Sequence, residues 1–329
     1  MSLPLFGPLL VPLGVLGAGC VGDPPKDDSA PVDDTAPDDT GTAPDPATVA
    51  LHGACATEDD YGGIAVTADP SDPSVYGSVA DGVVPGLVLE EIAQEGDCAL
   101  WRRNNPYCEP TCAPGTTCDF DGNCVPYPAN QDLGTIDIWG LATTVQMEPV
   151  FPGNTYYDTE LAVPPYVAGG LLTLDMPGGV YGPITLYGVG VEALVTPGTT
   201  WVLDAGAPLT LSWTAPAGPV IRSEIAVQIS IDQHGVSPSS LRCVFVDDGE
   251  GTVPGSITAA LVEVGVTGFP TASIERRTAD LAAAGAGCLD FTVSAPGTAA
   301  IDVVGHTPCV SDKECPEGQD CNEELQTCE

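Results

Sequence analysis

Positive charge is what this chain has least of. Its 329 residues hold eight Lys plus Arg against 46 Asp plus Glu, for a formal net charge of −38. So few cations leave no basic patch to neutralise phosphates, which disfavours nucleic acid as a partner. Anionic membrane surfaces repel such a chain as well. Basic partners, cationic ligands and calcium stay electrostatically open. Histidine is scarce: His52, His234 and His306 lie in separate segments, none beside a Ser or Cys nucleophile. No GxSxG, HExxH, Gly-rich phosphate loop or Rossmann fingerprint occurs, so no familiar catalytic motif is written in the sequence. CxxC pairs are missing too, which argues against zinc at the cysteines. Lysine, a strong helix former, is nearly absent, which weighs against a helical enzyme.

What is present points to strands and turns. Glycine (39) and proline (33) punctuate short runs of Val, Ile, Leu and Thr, the composition of an all-β fold. The clearest pattern is Pro208–Ile231. Leu209, Leu211 and Trp213 alternate with Thr210 and Ser212, and Ile225, Val227, Ile229 and Ile231 alternate with Ala226, Gln228 and Ser230. Period two gives each segment one apolar face. The expectation is an antiparallel hairpin lying on a core, with the rest of the chain supplying a second layer. Further strands are expected at Thr48–Leu51, Gly63–Ala68, Ser74–Val79, Leu87–Ile92, around Cys98, and at Ile136–Ile138, Leu172–Leu174, Ile184–Leu186, Trp201–Leu203, Leu241–Val246, Leu289–Val293 and Ala300–Val304. One helix is expected over Val253–Val264. Ser256 would cap it, Ile257, Ala260, Leu261 and Val264 would share a face, and Gly265 would stop it.

Thirteen cysteines indicate an oxidising compartment. Eight of them form two copies of one pattern, CEPTCAPGTTCDFDGNC from Cys108 to Cys124 and CVSDKECPEGQDCNEELQTC from Cys309 to Cys328. Both contain Cys-x2-Gly-x2-Cys, with Gly115 and Gly318 in the same place, where a tight turn calls for positive φ. The copies resemble short EGF-like modules of extracellular proteins, with four cysteines instead of six. Segments this small depend on disulfides. Four cysteines allow three connectivities; first-to-third and second-to-fourth is the order expected here, giving Cys108–Cys118, Cys112–Cys124, Cys309–Cys321 and Cys315–Cys328. The remaining pairs are expected as Cys55–Cys98 and Cys243–Cys288, leaving Cys20.

Residues 1–19 are an apolar run ending in small residues directly before Cys20. Leu16, Gly17, Ala18, Gly19 and Cys20 resemble the lipobox of bacterial lipoproteins, which implies a signal peptide over 1–20 and a lipid on Cys20. Residues 21–46 carry eight Asp against one Lys, with Pro, Thr and Ser between them. Like charges and proline with nothing apolar to bury make this a disordered tether.

The body is expected as first β-strands over 47–105, a cysteine-rich module over 106–127, a β-sandwich region over 128–306 and a second module over 307–329. Trp213, Thr214 and Pro216 are similar to the fibronectin type III pattern, which implies an Ig-like sandwich. Asp119 and Asp121, in DFDGN, and Asp247 and Asp248, in VDDGEG, are the candidate calcium ligands, with a plain Asp-Gly turn as the competing reading. The acidic triplet Glu58, Asp59, Asp60 reads as a solvated turn. Trp101 and Trp139, with Tyr107, Tyr156 and Tyr157, are candidates for a sugar-stacking platform or for the core. The resulting expectation is a lipid-anchored, surface-displayed β-sandwich with a binding, adhesive or structural role and no catalysis. It would have no cofactor beyond calcium and an extracellular protein or glycan as ligand. The alternatives are a carbohydrate-binding module and a calcium-dependent secreted hydrolase.

Overall fold

Period-two runs become strands along most of the chain. A computed structural model describes residues 43–198, 200–218, 222–231 and 238–329. The expected leader with Cys20, the tether up to residue 42, His234 and the 219–221 turn lie outside the described residues. In chain order the strands are β1 (Asp60–Thr67), β2 (Ser74–Val79), β3 (Leu89–Glu95), β4 (Cys98–Arg103), β5 (Thr116–Cys118), β6 (Cys124–Pro126), β7 (Ile136–Trp139), β8 (Val145–Met147), β9 (Tyr156–Asp158), β10 (Leu171–Met176) and β11 (Ile184–Val189). Then come β12 (Trp201–Leu203), β13 (Leu209–Ser212), β14 (Glu224–Ser230), β15 (Ser239–Val246), β16 (Glu250–Val253), the helix α1 (Gly255–Val264), β17 (Thr271–Ala284), β18 (Gly287–Gly297), β19 (Ile301–Val303), β20 (Cys321–Asn322) and β21 (Thr327–Cys328).

Nine strands form one sheet in the order β3-β4-β15-β14-β17-β18-β1-β2-β9. Only β1 and β18 run parallel within it. The sheet draws β1–β4 from the 47–105 stretch and the rest from the 128–306 stretch, so these parts of the chain fold together. Its inner face carries two cores. In the first, Ile64, Val66, Val75, Leu289, Phe291 and Val293 pack on Ile136, Ile138, Leu172, Leu174 and Leu186 of a four-stranded sheet ordered β11-β10-β7-β8. In the second, Leu100, Leu241, Ile225, Val227 and Ile274 meet the parallel pair β12-β19, the antiparallel pair β13-β16 and the α1 residues Ile257 and Leu261. The fourteen-residue β17 serves both, with Ile274 in one core and Ala284 in the other. The molecule is two β-sandwiches sharing one sheet.

Three expectations change. The Leu209–Ser212 and Glu224–Ser230 segments are strands, but not a hairpin: β13 pairs β16, while β14 pairs β15 and β17. The 213–223 connection is longer than a tight hairpin turn. It carries the chain to the opposite layer, and both apolar faces still close on the second core. The 48–51 segment makes no strand; it is held instead by Arg222, which donates to the carbonyls of Ala47 and Val49. Ser256 does not cap α1. Its hydroxyl bonds Glu95, Pro254 stands at the cap, and the Gly265 N–H closes the far end on the Val262 carbonyl.

The two long-range bridges also differ from expectation: Cys98 pairs Cys243 and Cys55 pairs Cys288. Nearness in sequence was the wrong guide. Cys98 on β4 lies directly opposite Cys243 on β15, with Cα atoms 4.1 Å apart. The chain entering β1 runs beside the start of β18, where Cys288 N–H bonds the Asp59 carbonyl. Within the modules the bridges are Cys108–Cys118, Cys112–Cys124, Cys309–Cys321 and Cys315–Cys328. Gly115 (φ +84°) and Gly318 (φ +91°) make the same left-handed turn in each copy. The second module is fastened to the body through Gly268, whose N–H bonds the Leu325 carbonyl at 2.8 Å and whose carbonyl meets His306 Nε2 at 2.7 Å.

Candidate functional site

Inward positions of a core strand are normally apolar, but β17 places Arg276, Thr278 and Asp280 there, all buried. They line the boundary between the two cores. Arg276 Nε and Nη2 grip Asp247 at 2.6 and 3.0 Å, with side-chain exposures of 2% and 0%. The guanidinium also donates to the carbonyls of Thr214 (2.6 Å), Ala193 (3.2 Å) and Glu192 (3.3 Å). Asp247 accepts further from Trp213 Nε1 at 2.8 Å and Ser223 Oγ at 2.5 Å. A buried charge pair is tolerable only when its remaining donors and acceptors are satisfied in this way.

The next two residues catch the free edge of β11. Thr278 Oγ1 donates to the Val189 carbonyl (3.0 Å) and accepts its N–H (3.1 Å), and Asp280 Oδ2 accepts Tyr187 N–H at 3.0 Å. Side chains thus stand in for the missing strand neighbour. Gly188 permits the approach: a Cβ there would fall 2.5 Å from Val293. Asp280 Oδ1 takes both the backbone N–H (3.0 Å) and Nδ1 (2.6 Å) of His52, whose side chain is 61% exposed. A carboxylate only accepts, so Nδ1 carries a proton. The contact fixes the plane of the exposed imidazole. Among the described residues no serine or cysteine side chain is hydrogen-bonded to His52.

The residues expected to hold calcium do not converge. Asp247 belongs to Arg276, while Asp248 is exposed on the other face of the chain. Asp119 is a turn device: its Oδ1 accepts the N–H groups of Asp121 (3.0 Å) and Asn123 (2.7 Å) inside the β5–β6 hairpin. Asp60 likewise accepts from Gly62 N–H. Among the described residues the groups of three with metal-ligand spacing are Cys108/Cys112/Cys124 and Cys309/Cys315/Cys321, whose sulfurs are already in disulfides.

Aromatic side chains divide between core and surface. Tyr156 is buried, with its hydroxyl between Leu133 N–H and the Gly134 carbonyl. Tyr107 is exposed in the first module, Tyr157 is exposed opposite Tyr76, and Trp101 is half-buried on the large sheet between Glu91 and Ser240. Trp139 stands apart. It is 51% exposed on the outer face of the four-stranded sheet, on a strand whose neighbours Ile136 and Ile138 are core. Register places Thr173 beside it and Tyr187 beyond, so Trp139-Thr173-Tyr187 form one row across three strands. Two residues along, Gln146-Asp137-Asp175-Thr185 form a second row across four. Gln146 Nε2 donates to Asp137 Oδ1 (2.8 Å), and Thr185 Oγ1 to Asp175 Oδ1 (2.6 Å). Sequence reading found Trp139 but not its companions. The alternation in LTLDM and ITLYG already pointed Thr173, Asp175, Thr185 and Tyr187 outward; which strands adjoin was the missing information.

Two clefts of about 310 and 350 Å³ open beside the boundary and share Ala168, Val191 and Glu192. Their charged groups are already spent internally. Glu192 accepts Ala217 N–H at 3.0 Å, and Arg222 holds the 47–49 segment.

On the opposite face of the large sheet, Asp290 is pushed up to about 6, by burial first and by the neighbouring charge of Asp60 second, against the Cys55 N–H and Arg277, which favour the anion. A raised carboxylate binds its proton more tightly folded than unfolded. Stability from this group is therefore fully present below the ordinary carboxylate range and is lost as pH climbs to about 6. At pH 7 the penalty is about 3 kcal/mol. Asp290→Asn is expected to recover that amount at neutral pH and to flatten the stability profile between about pH 4 and 6, read by urea unfolding across pH.

No protein-family model and no curated protein sequence matches the chain. Solved structures with some similarity include the FN1-FN3 domains of chicken CNTN1, at 7% identity over 68% of this chain and 69% of that one, with a TM-score of 0.18. Another is from a 1.5-MDa bacterial ice-binding adhesin, at 11% identity over 73% and 98%, with a TM-score of 0.15. A third is a Ca2+-stabilised, ice-binding adhesin of an Antarctic bacterium, at 13% identity over 74% and 75%, with a TM-score of 0.13.

Proposed function

We propose that the chain is an exported, surface-displayed binding and scaffold protein, anchored by lipid on Cys20 and spaced from the membrane by the acidic 21–46 segment. The observation that carries this reading is the cross-linking. All twelve described cysteines are paired, and two of the bridges join segments far apart in sequence. Such a set forms and persists outside the reducing cytosol. The hydrolase reading loses its acidic pair, because Asp247 is committed to Arg276 and Asp248 faces elsewhere.

Intact mass of the protein recovered from its own membranes tests this. The expected mature chain begins at Cys20, carries acyl groups there, and is twelve hydrogens lighter than the reduced polypeptide. Free thiols in the two modules would overturn export; an unmodified N-terminus would overturn the anchor alone.

A further inference from the structure

We infer that the outer face of the four-stranded sheet is a binding site for a neutral polysaccharide, with the sugar chain lying across the strands. Adjacent strands are about 4.8 Å apart, so Trp139 and Tyr187 stand roughly 10 Å apart with Thr173 between them. The polar row runs parallel, two residues or about 7 Å away. One row supplies aromatic surface for the apolar faces of pyranose rings. The other supplies carboxylate, amide and hydroxyl groups for ring hydroxyls, the mix that oriented ligand sites use. Each carboxylate plane is fixed through Oδ1, by Gln146 at Asp137 and by Thr185 at Asp175. An ionised carboxylate has further acceptor sites, so hydroxyl donors of a sugar find them pre-oriented.

A second feature favours a ligand here. Asp137 and Asp175 are directly opposite on adjacent strands, and among the described residues neither has an ion-pair partner. Like charges so placed destabilise a sheet. Hydroxyl donors bridging the two would relieve that repulsion. Charge also selects among ligands. The acid pair and the net charge of −38 repel sulfated or uronic glycans. A basic peptide needs only the two carboxylates and leaves the aromatic row and the Thr173, Thr185 and Gln146 groups without a role.

The inference deepens the surface-binding reading and names its ligand class, but binding itself is measurable whatever the anchor. The full chain, produced with its disulfides intact, is run by affinity electrophoresis in gels containing mixed-linkage glucan, xyloglucan, galactomannan or glucomannan. Poly-lysine and a sulfated glycan serve as controls. The wild type is expected to be retarded by at least one neutral polysaccharide, with little change on adding salt. Trp139→Ala should weaken retention about tenfold or more, Trp139→Phe should keep most of it, and Tyr187→Ala should fall between. Trp139 is half in solvent, so the melting temperature of the alanine variant should match the wild type. The inference is overturned by no retardation in any neutral polysaccharide, by a Trp139→Ala variant that binds normally, or by salt-sensitive binding to poly-lysine alone. None of these outcomes touches the intact-mass test.

Discussion

Arg276→Ala is expected to cost the fold about 3–5 kcal/mol, enough to leave much of the chain unfolded at 37 °C. The substitution removes the counter-charge of Asp247, whose side chain is sealed from water, and strips donors from the Thr214, Glu192 and Ala193 carbonyls. A buried carboxylate without its partner cannot recover its hydration, so the loss far exceeds that of a surface ion pair. Asp247→Ala should be comparably severe, since it strands the guanidinium and the Trp213 indole N–H. Arg276→Met combined with Asp247→Leu should cost clearly less than the two single changes summed, because no charge remains buried. Urea unfolding with the disulfides intact measures all three. Single variants within about 1 kcal/mol of wild type would mean that water reaches the pair.

The position of this pair explains the severity. Each sandwich has its own apolar core, and β17 is the element common to both. Where the cores meet, Arg276 ties the strand to the loops bearing Thr214 and Glu192, and Thr278 and Asp280 tie it to β11. The four-stranded sheet therefore has one edge fixed by side chains on a buried strand. The Trp139 face lies on that same sheet, so its presentation depends on a polar seam whose buried side chains are hydrogen-bonded to one another and to the backbone. Fully paired polar clusters of this kind hold one arrangement in preference to its competitors.

Local pattern was legible and partnership was not. Alternation in SVYGSV, LTLDM and EIAVQIS marked strands whose faces the structure retains. The Ile257/Leu261 spacing marked the helix, and the doubled Cys-x2-Gly-x2-Cys marked the modules. Period two tells which side of a strand is buried, not which strand lies beside it. Hence the expected hairpin dissolved into two layers, and Cys98 found Cys243 rather than Cys55. The longest strand escaped sequence reading for another reason. In TASIERRTADLAAA the inward positions after Ile274 are Arg276, Thr278 and Asp280, so the apolar signal fails where the strand is most buried. Polar residues that satisfy one another across 29 to 93 positions of chain leave no local trace.

The two classes of disulfide should behave differently when removed. Cys55–Cys288 spans 233 residues and encloses Cys98–Cys243, which spans 145. With the inner bridge in place, the outer one closes an effective loop of about 88 residues, the difference between the two spans. Loop closure of that size restrains the unfolded chain by about 4 kcal/mol. The bridge joins the entry of β1 to the start of β18 at the middle of the shared sheet, so its loss acts on the global transition. Cys55→Ala with Cys288→Ala is expected to lower the melting temperature of the body by roughly 10 °C in calorimetry. Cys112–Cys124 spans 12 residues and closes only the hairpin module. Its removal releases a comparable entropy into a segment too small to have a core, so the cost is confined there. Cys112→Ala with Cys124→Ala should leave the main transition within about 2 °C of wild type while protease begins to cut between Cys108 and Cys124. Equal falls in the main transition for the two double variants would contradict this, because the module would then have to be packed into the sandwiches as part of their cooperative unit.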